Sequence, residues 1–274
     1  MTVDAVERHY GRGGILDAIL AGLRGLGKDL AHLQPVDLAP VDEFHIRGRE
    51  ATVELADRAG VRPGLRVLDV GSGLGGSLRY LAAERGCSGT GIDLTQEYVE
   101  AARALAELVK LGDAVDFRQG SALEVPFAEG SFELVWTEHA QMNIADKRAF
   151  YGELARVLVP RGRLVFHDIF QGEGGPVHVP VPWADERSIS FLAKPAAVRE
   201  ILEQARLRVV DWEDKTRQSL DWFLAVMDRL KQSGPPPLGF HLLMGSTARV
   251  KLENMIRNLQ EERIAVGQAV AEKA

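Results

Sequence analysis

The sequence predicts an α/β fold with a doubly wound, mostly parallel sheet, and two observations predict it. A short apolar strand at residues 66–70 runs directly into a glycine-rich turn and then an amphipathic helix. Apolar segments of strand length then alternate with helical segments as far as residue 212, which is typical of a parallel sheet with helices on both faces. A final strand is expected after an interval rich in apolar and aromatic side chains at residues 217–262.

The turn after the first strand brings a ligand close to bare backbone. Gly71, Gly73, Gly75 and Gly76 remove side chains there and allow a tight turn. The leucines that follow recur at spacings of four and three, so the next helix has one apolar stripe facing the sheet. The ligand is therefore expected at a helix N-terminus beyond the carboxyl end of a strand, where open α/β sheets bind their ligands.

Two cofactor classes compete for this turn. Gly71, Gly73 and Gly76 also satisfy the dinucleotide pattern Gly-x-Gly-x-x-Gly, which is weak on its own. Asp69 lies two residues before the first glycine, where the strand of a dehydrogenase ordinarily stays apolar. Because a carboxylate repels a pyrophosphate and attracts a cation, Asp69 favours a cationic ligand over NAD.

The pattern Asp69-x-Gly71-x-Gly73-x-Gly75 resembles that of class I S-adenosylmethionine-dependent methyltransferases. The resemblance extends over residues 61–215 and the last strand. It implies a seven-stranded sheet with an antiparallel last strand. It also implies that the turn holds the methionine part of S-adenosyl-L-methionine, which carries a sulfonium and an ammonium group. The residues implied there are Asp69, Gly71, Ser72 and Gly73.

The second predicted strand, at residues 88–92, is followed by Asp93 and Leu94. An acidic side chain at this position accepts hydrogen bonds from both ribose hydroxyls of a nucleoside cofactor, and Leu94 lies beside it. The alternative is that Asp93 caps the helix that follows. NAD uses the same residue in the same way, so Asp93 does not choose the cofactor.

Ser121 and Ala122 follow the third predicted strand at residues 115–118. The family that this chain resembles usually has Gly-Asp-Ala here, and the acid accepts the exocyclic amine of adenine. A serine hydroxyl accepts the same hydrogen bond, but it is uncharged, so a weaker contact with adenine is expected.

Polar residues leave the ends of the fourth and fifth predicted strands, which are neighbours in this topology. Thr137, His139 and Asn143 follow the fourth strand, and His167 and Asp168 are expected to be exposed near the end of the fifth. All of them should meet at one rim beside the cofactor. Thr137 is expected to contact the cofactor, whereas Asn143 and His167 are expected to contact the methyl acceptor.

His139 and Asp168 are the predicted catalytic residues. The near-neutral pKa of histidine suits His139 to take a proton from an acceptor hydroxyl or ammonium. Asp168 would hold that imidazole in one tautomer or bind the acceptor directly. The alternative is that His139 only hydrogen-bonds the backbone of residues 140–144 and that Asp168 caps a turn.

Residues 1–62 are expected to form a helical lid, because such helices lie over the cofactor in many methyltransferases that this chain resembles. His45 lies just before a predicted helix at residues 48–59 and is expected at the methionine end of the cofactor. The alternative is a polar residue in an exposed connector.

A Gly/Pro-rich connection at residues 171–190 has Trp183 at its centre, and long loops of this kind are usually functional or disordered, so Trp183 is a candidate acceptor contact. The interval at residues 217–262 resembles the helical substrate-covering lobe of the sarcosine and dimethylglycine methyltransferases. A dimerisation surface is the alternative. The predicted division is therefore the lid, a core at residues 63–216, this insertion, and the last strand at residues 263–274.

Composition limits the partners. The 33 basic and 39 acidic residues give a net charge of −6, and no basic block is long enough to follow a phosphate backbone, so a nucleic-acid partner is not expected. Cys87 is the only cysteine, so neither a disulfide framework nor a thiolate metal site is expected. With no apolar run of membrane-spanning length and no signal-peptide layout, a cytoplasmic protein without a membrane partner is expected.

These observations predict an S-adenosylmethionine-dependent methyltransferase that acts on a small-molecule nitrogen or oxygen acceptor by in-line displacement. A homodimer is compatible with the apolar insertion. Two other functions stay open, namely an NAD-dependent oxidoreductase and a nucleoside-binding protein of the same fold that is non-catalytic or catalyses another reaction.

Overall fold

The computed structural model of the protein describes residues 2–11 and 13–274. One seven-stranded sheet has the order β3-β2-β1-β4-β5-β7-β6. The strands are β1 (Arg66–Val70), β2 (Ser88–Asp93), β3 (Val115–Gln119), β4 (Phe132–Glu138), β5 (Leu158–Gln171), β6 (Leu207–Asp214) and β7 (Ile264–Lys273). Strand β7 is antiparallel to both of its neighbours, and the remaining pairs are parallel. The predicted fold class is confirmed.

Eleven helices of the described chain surround this sheet. They are α1 (Thr2–Tyr10), α2 (Ile15–Gly25), α3 (Pro35–Asp42), α4 (Arg49–Arg58), α5 (Gly76–Arg85), α6 (Gln96–Leu108), α7 (Lys147–Val157), α8 (Pro195–Gln204), α9 (Thr216–Ser233), α10 (His241–Met244) and α11 (Ala248–Gln260). No helix of residues 2–11 and 13–274 is both long enough and apolar enough to span a bilayer.

Side chains of the central strands alternate between two hydrophobic cores. Leu68 and Phe166 face one core, whereas Val67 and Trp136 face the other, and all four are at most 1% exposed. Burial on both faces explains why these strands appear in the sequence as nearly continuous apolar runs. Strand order reverses between β1 and β4, so the carboxyl ends of these two strands flank the crevice where open sheets bind ligands.

Strand β5 begins at Leu158 and includes residues 160–163, whose Pro-Arg-Gly-Arg sequence is typical of a turn. Pairing with β4 shifts register between Phe132 and Leu134, and Arg161 has a φ of 62°. A local irregularity of this kind lets an extended strand absorb residues that have a turn-like sequence.

The insertion helices α9 and α11 share a hydrophobic core with β5 and β7. Phe223 and Met255 are buried in one cluster with Val266 of β7 and Ile169 of β5. At the other end of the chain, Ile19 of α2 is buried in a cluster with residues of α6. The division into lid, core and insertion stays a prediction, although the helices expected on both sides of the core are present.

Candidate active site

A pocket of about 430 Å³ opens at the carboxyl ends of β1 and β4. Its walls come from the glycine turn after β1, the ends of β2 and β3, the segment after β4, the N-terminal helical region and the helices between β6 and β7. Most predicted site residues line it. These are Asp69, Gly71, Ser72, Gly73, Asp93, Leu94, Ser121, Ala122, His45, His139, Asn143 and Trp183. Thr137, His167 and Asp168 do not.

The glycine turn needs its glycines for two different reasons. A side chain at Gly75 would place Cβ 2.4 Å from the ring of Phe117, and one at Gly71 would place Cβ 2.8 Å from Cβ of Ala140. Gly73 has a φ of 53° and has no heavy atom within 4 Å of a built Cβ position. Since Gly73 also lines the pocket, a side chain there would project into open pocket space.

Two carboxylates bracket this turn. Oδ2 of Asp93 accepts from the amide of Gly73 at 2.9 Å, and Oδ1 accepts from the amide of Thr95 at 2.8 Å. Asp93 therefore fixes the glycine turn and the segment that leads into α6, whose N-cap is Thr95. A carboxylate has about four acceptor positions, so Asp93 retains capacity for a ligand hydroxyl on each oxygen.

Asp69 is only 3% exposed at the base of the pocket. Burial raises the pKa of Asp69 well above its usual range, and the neighbouring carboxylates of Glu138 and Asp93 raise it further. Oγ of Ser72, in the glycine turn that follows Asp69, is buried without a hydrogen-bond partner. A ligand with a cationic group would offset the charge of Asp69, and a polar atom of that ligand would bond to Ser72.

The serine that replaces the acid of the related family is partly engaged. Oγ of Ser121 accepts from the amide of Leu123 at 3.1 Å, which forms a local turn. Its hydroxyl hydrogen stays available to a ligand acceptor. Leu94 and Ala122 complete this wall of the pocket.

Thr137 does not contribute to the pocket, contrary to expectation. It lies within β4 opposite Phe166 and is 1% exposed. The expected position was wrong because β4 continues through Glu138 instead of ending at Trp136. The side chain that reaches the pocket at this strand end is Glu138.

His139 occupies a strained turn at the mouth of β4. Its φ is 50°, in the left-handed region that few residues other than glycine adopt. Its amide donates to the carbonyl of His167 at 2.9 Å. Oδ2 of Asp168 accepts from the next two amides, those of Ala140 at 3.2 Å and Gln141 at 3.1 Å. Asp168 therefore holds the turn that carries His139, as the capping alternative expects.

The expected exposure of His167 and Asp168 was wrong. His167 is 0% exposed because the segment that carries Ile46 covers it, and Asp168 is 1% exposed beside the segment that follows β4. Nε2 of His167 donates to the carbonyl of Ile46 at 3.0 Å, and its ring stacks on that of His139 with the centroids 5.1 Å apart. His167 supports the site from behind the pocket wall.

The predicted near-neutral pKa of His139 was also wrong. Burial lowers the pKa of His139 well below 6.5, and the neighbouring His167 and His45 lower it further. Nε2 of His139 is buried without a hydrogen-bond partner. At neutral pH the imidazole is therefore uncharged and has a ring nitrogen free to accept a proton.

Glu138 is a site residue that the sequence reasoning missed. Its Oε2 accepts from Oγ of Ser77 at 2.6 Å and from Nε1 of Trp136 at 2.8 Å. Its Oε1 has no hydrogen-bond partner and lies 3.4 Å from Nε2 of His45. Burial raises the pKa of Glu138 to about 7, although the Ser77 and Trp136 hydrogen bonds oppose that shift.

His45 is a buried member of this network and not a connector residue. It is 7% exposed and lines the pocket. Its Nε2 donates to the carbonyl of Gly48 at 3.0 Å and lies 3.0 Å from Oγ1 of Thr52, which donates to Glu43 at 2.5 Å. Burial lowers the pKa of His45, and it raises the pKa of Glu43 to about 7.

Asn143 and Trp183 link three segments over the pocket. Nδ2 of Asn143 donates to the carbonyl of Trp183 at 2.8 Å, and its Oδ1 accepts from the hydroxyl of Tyr10 at 3.0 Å. The Trp183 indole donates to Oγ of Ser190 at 2.9 Å. Within residues 2–11 and 13–274, no cluster of three or more His, Cys, Asp or Glu side chains is arranged to hold a metal ion.

Residues 68–166 match the family described as a methyltransferase domain. These residues run from β1 through most of β5 and include Asp69, Asp93 and His139. Over these residues the chain is similar to a methyltransferase domain. The resemblance predicted from the glycine turn is thereby confirmed.

Two curated methyltransferases are similar to parts of this chain. A probable tocopherol O-methyltransferase of Oryza sativa subsp. japonica is 46% identical over 99 residues, which are 36% of this chain and 27% of that protein. A sarcosine/dimethylglycine N-methyltransferase of Halorhodospira halochloris is 28% identical over 66% of this chain and 64% of that protein. The chain thus spans less than two thirds of these relatives.

A solved structure extends the likeness in fold beyond the methyltransferase domain. The geranyl diphosphate C-methyltransferase of Streptomyces coelicolor A3(2) superimposes with a TM-score of 0.75 at 17% identity. The match covers 100% of this chain and 98% of that one. The N-terminal helices and the helices between β6 and β7 therefore belong to an arrangement found in a known methyltransferase structure.

Proposed function

We propose that this protein is an S-adenosylmethionine-dependent methyltransferase that acts on a small molecule. The observation that carries the proposal is the pair of carboxylates, Asp69 and Asp93, on either side of a side-chain-free glycine turn that opens into one pocket with His139. The methyltransferase-domain match over residues 68–166 supports it.

The described residues fit the cofactor. Asp69 would face its cationic methionine part, since an added positive charge offsets the cost of ionising this buried carboxylate. Asp93 would accept the ribose hydroxyls with the lone pairs that Gly73 and Thr95 leave free. Ser121 and Ala122 would line the adenine. The structural relatives that were solved with this cofactor or its product support the same assignment.

Bound S-adenosyl-L-methionine supplies an activated methyl group on a sulfonium, and the protein must orient the acceptor and manage one proton. Orientation alone contributes up to ~7–11 kcal/mol to such reactions. His139 is uncharged and lines the pocket, so its imidazole would take a proton from an acceptor, which adds ~10²–10⁴ in rate for a hydroxyl acceptor. Asp168 acts as a positioning residue through the turn that carries His139.

The proposed partner is a small-molecule acceptor methylated at nitrogen or oxygen, with no nucleic acid bound. The net charge of −6 and the enclosed pocket support a small molecule over a polyanion. A cytoplasmic location is proposed as well, supported by the single, buried Cys87. Homodimer formation and the lid role of residues 1–62 stay proposals.

A thermal-shift series tests the cofactor class. S-adenosylmethionine and S-adenosylhomocysteine should each raise the melting temperature by mass action, whereas NAD should leave it unchanged. The Asp93→Asn variant should lose most of the shift. Stabilisation by NAD alone would restore the oxidoreductase alternative, and nucleoside stabilisation without methyl transfer to any acceptor would favour a binding protein of this fold.

A further inference from the structure

One group of pocket-lining side chains is apolar and mostly aromatic. Six of these side chains, which come from five separate segments, are called the acceptor chamber here: Phe44, Trp183, Trp222, Phe240, Leu243 and Met255. Phe44 and Phe240 have their ring centroids 5.5 Å apart, and Trp222 lies 6.5 Å from Phe240. The chamber therefore offers broad apolar contact to whatever part of the acceptor extends away from the reacting atom.

Charge in the pocket is of one sign. Asp42, Asp69, Asp93, Glu138 and Asp146 all line it, whereas no lysine or arginine is among the lining residues that the structure describes. Nearby cations have other partners. Arg79 pairs with Asp42 at 2.5 Å, and Nζ of Lys147 donates to the carbonyls of Gln141 and Phe191.

An acceptor with its own negative charge is therefore disfavoured. A carboxylate or phosphate that loses its water in this pocket would meet aromatic rings and carboxylates and would gain no ion pair in return. The turn after β4 places the uncharged imidazole of His139 in the pocket wall, and a neutral hydroxyl can donate to it.

We infer that the methyl acceptor is an uncharged, largely apolar molecule with a hydroxyl group, which is methylated at that oxygen with its apolar body in the acceptor chamber. This inference rests on the proposed function and narrows it to O-methylation of a neutral alcohol or phenol. The hydroxyl oxygen bonds to the methyl carbon while the carbon–sulfur bond breaks, with its electron pair staying on the departing sulfur. The hydroxyl proton passes to the imidazole of His139, whose ring lines the pocket.

Three probes of equal shape and different charge test this inference. Naphthol, naphthoate and naphthylmethylamine are titrated into protein saturated with S-adenosylhomocysteine, and binding is followed by calorimetry and by the fluorescence of Trp183 and Trp222. Naphthol should bind at least roughly tenfold more tightly than naphthoate, because only naphthoate must bury an unpaired charge. Equal or tighter binding of naphthoate would overturn the inference, and tighter binding of the amine would assign a cationic acceptor instead.

Variants test whether the preference for naphthol over naphthoate arises in the acceptor chamber. Phe240→Ala should weaken naphthol binding at least roughly fivefold and leave S-adenosylhomocysteine affinity unchanged. Leu224→Ala serves as the matched control, because Leu224 is exposed on α9 and does not line the pocket. Phe240→Arg, at a partly exposed position, should reverse the preference towards naphthoate. An unchanged preference in Phe240→Arg would place the acceptor elsewhere.

Turnover separates this inference from the proposed function. With S-adenosylmethionine present, naphthol should gain a methyl group, and sarcosine and phosphoethanolamine should not. Methylation of either charged compound would keep the methyltransferase function and overturn the neutral-acceptor inference. Failure of S-adenosylhomocysteine to bind at all would instead overturn the proposed function.

Discussion

The imidazole rings of His139 and His167 stack with their centroids 5.1 Å apart and an interplanar angle of 27°. Both rings are uncharged at neutral pH. Burial lowers the pKa of His139, and the neighbouring His167 and His45 lower it further. Burial and the nearby His45 lower the pKa of His167. The buried ring of His167 thus supports the pocket ring of His139. An uncharged, rigidly held imidazole can accept a proton, and its lowered pKa makes it a weaker base than an exposed histidine.

Replacing His139 by asparagine should reduce turnover by at least ~10²-fold with a hydroxyl acceptor. Asparagine is preferred to alanine as the substitute because it tolerates the left-handed backbone at this position. Affinity for S-adenosylmethionine should change by less than about threefold, because the loss is confined to the transition state. Steady-state kinetics and calorimetry on the same samples make the comparison.

The His139→Ala variant controls for backbone strain. It should lose the same turnover as His139→Asn but melt at a lower temperature, since alanine is strained at a φ of 50°. Full turnover in both variants would leave orientation as the main source of rate and give His139 a structural role only.

Glu138→Gln should make stability less dependent on pH. Burial raises the pKa of Glu138 from 4.5 to about 7, so the wild-type carboxyl is mostly protonated in the folded protein at pH 5 but must be buried as a charge at pH 8. Stability contributed by the neutral form is present below pH 4.5 and is lost as pH rises through 7. Glutamine has no such loss, so the variant should gain roughly 2–3 kcal/mol relative to wild type between pH 5 and pH 8.

Chemical denaturation at both pH values measures this difference. Taking Glu138→Gln minus wild type removes the opposite trend from the buried histidines, which must stay neutral and therefore destabilise the fold at acid pH. Glu200→Gln, at an exposed position on α8, should show no such gain. A pH-independent difference for Glu138→Gln would mean that this carboxyl is not buried as a neutral acid.

The cofactor half of the site was predictable because its signals are local. Asp69 and Asp93 each end an apolar strand with an acid, and the glycines follow the first of them at fixed spacing. Glu138 ends β4 in the same way, after Leu134, Val135 and Trp136. Applying the same rule to all strands would have found it.

The acceptor half was less predictable because it depends on packing between distant segments. His167 and Asp168 were expected to be exposed, but Ile46, far away in sequence, accepts a hydrogen bond from His167 and helps to cover it. Nothing local to β5 indicates that cover. The hydrogen-bond partners of Asp168 depend on the register between β5 and β4. The irregularity near Leu134 shifts that register.

The insertion at residues 217–262 shows the same limit. Its composition predicts a lobe that is separate from the core, and deleting such a lobe would leave cofactor binding intact. In the structure, Phe223 and Met255 are buried against β5 and β7, so deleting the insertion would expose apolar side chains of these two strands. Its contribution to substrate binding is better tested by single substitutions at Trp222 or Phe240.

Removal of the Asp93 carboxylate should weaken S-adenosylmethionine binding by ~1.5–3 kcal/mol, or roughly 10- to 150-fold, which is the contribution of a charged hydrogen bond. Asp93→Ala also frees the amides of Gly73 and Thr95, whereas Asp93→Asn keeps an acceptor for one of them. The asparagine variant should therefore be the more stable of the two while binding the cofactor almost as weakly. Unchanged affinity in Asp93→Asn by titration calorimetry would leave Asp93 with its capping role alone.

Asp168→Ala should slow turnover by loosening the turn that carries His139. The Asp168 side chain itself does not line the pocket, so its direct contact with either substrate is not at issue. The change removes the acceptor for the amides of Ala140 and Gln141. An unmade buried hydrogen bond costs ~1–3 kcal/mol, so hydrogen exchange at these two amides should accelerate by roughly tenfold or more.

Kinetics then distinguish a positioning role from a general loss of stability. In Asp168→Ala, kcat should fall by at least roughly tenfold while KM for S-adenosylmethionine stays within about threefold, because Asp93 and the glycine turn are untouched. Asp168→Asn keeps an oxygen that accepts from the same amides, so it should recover much of kcat and of the exchange protection. If Asp168→Asn is as slow as Asp168→Ala while its two amides are fully protected, the charge of Asp168 and not its hold on the turn is what His139 requires.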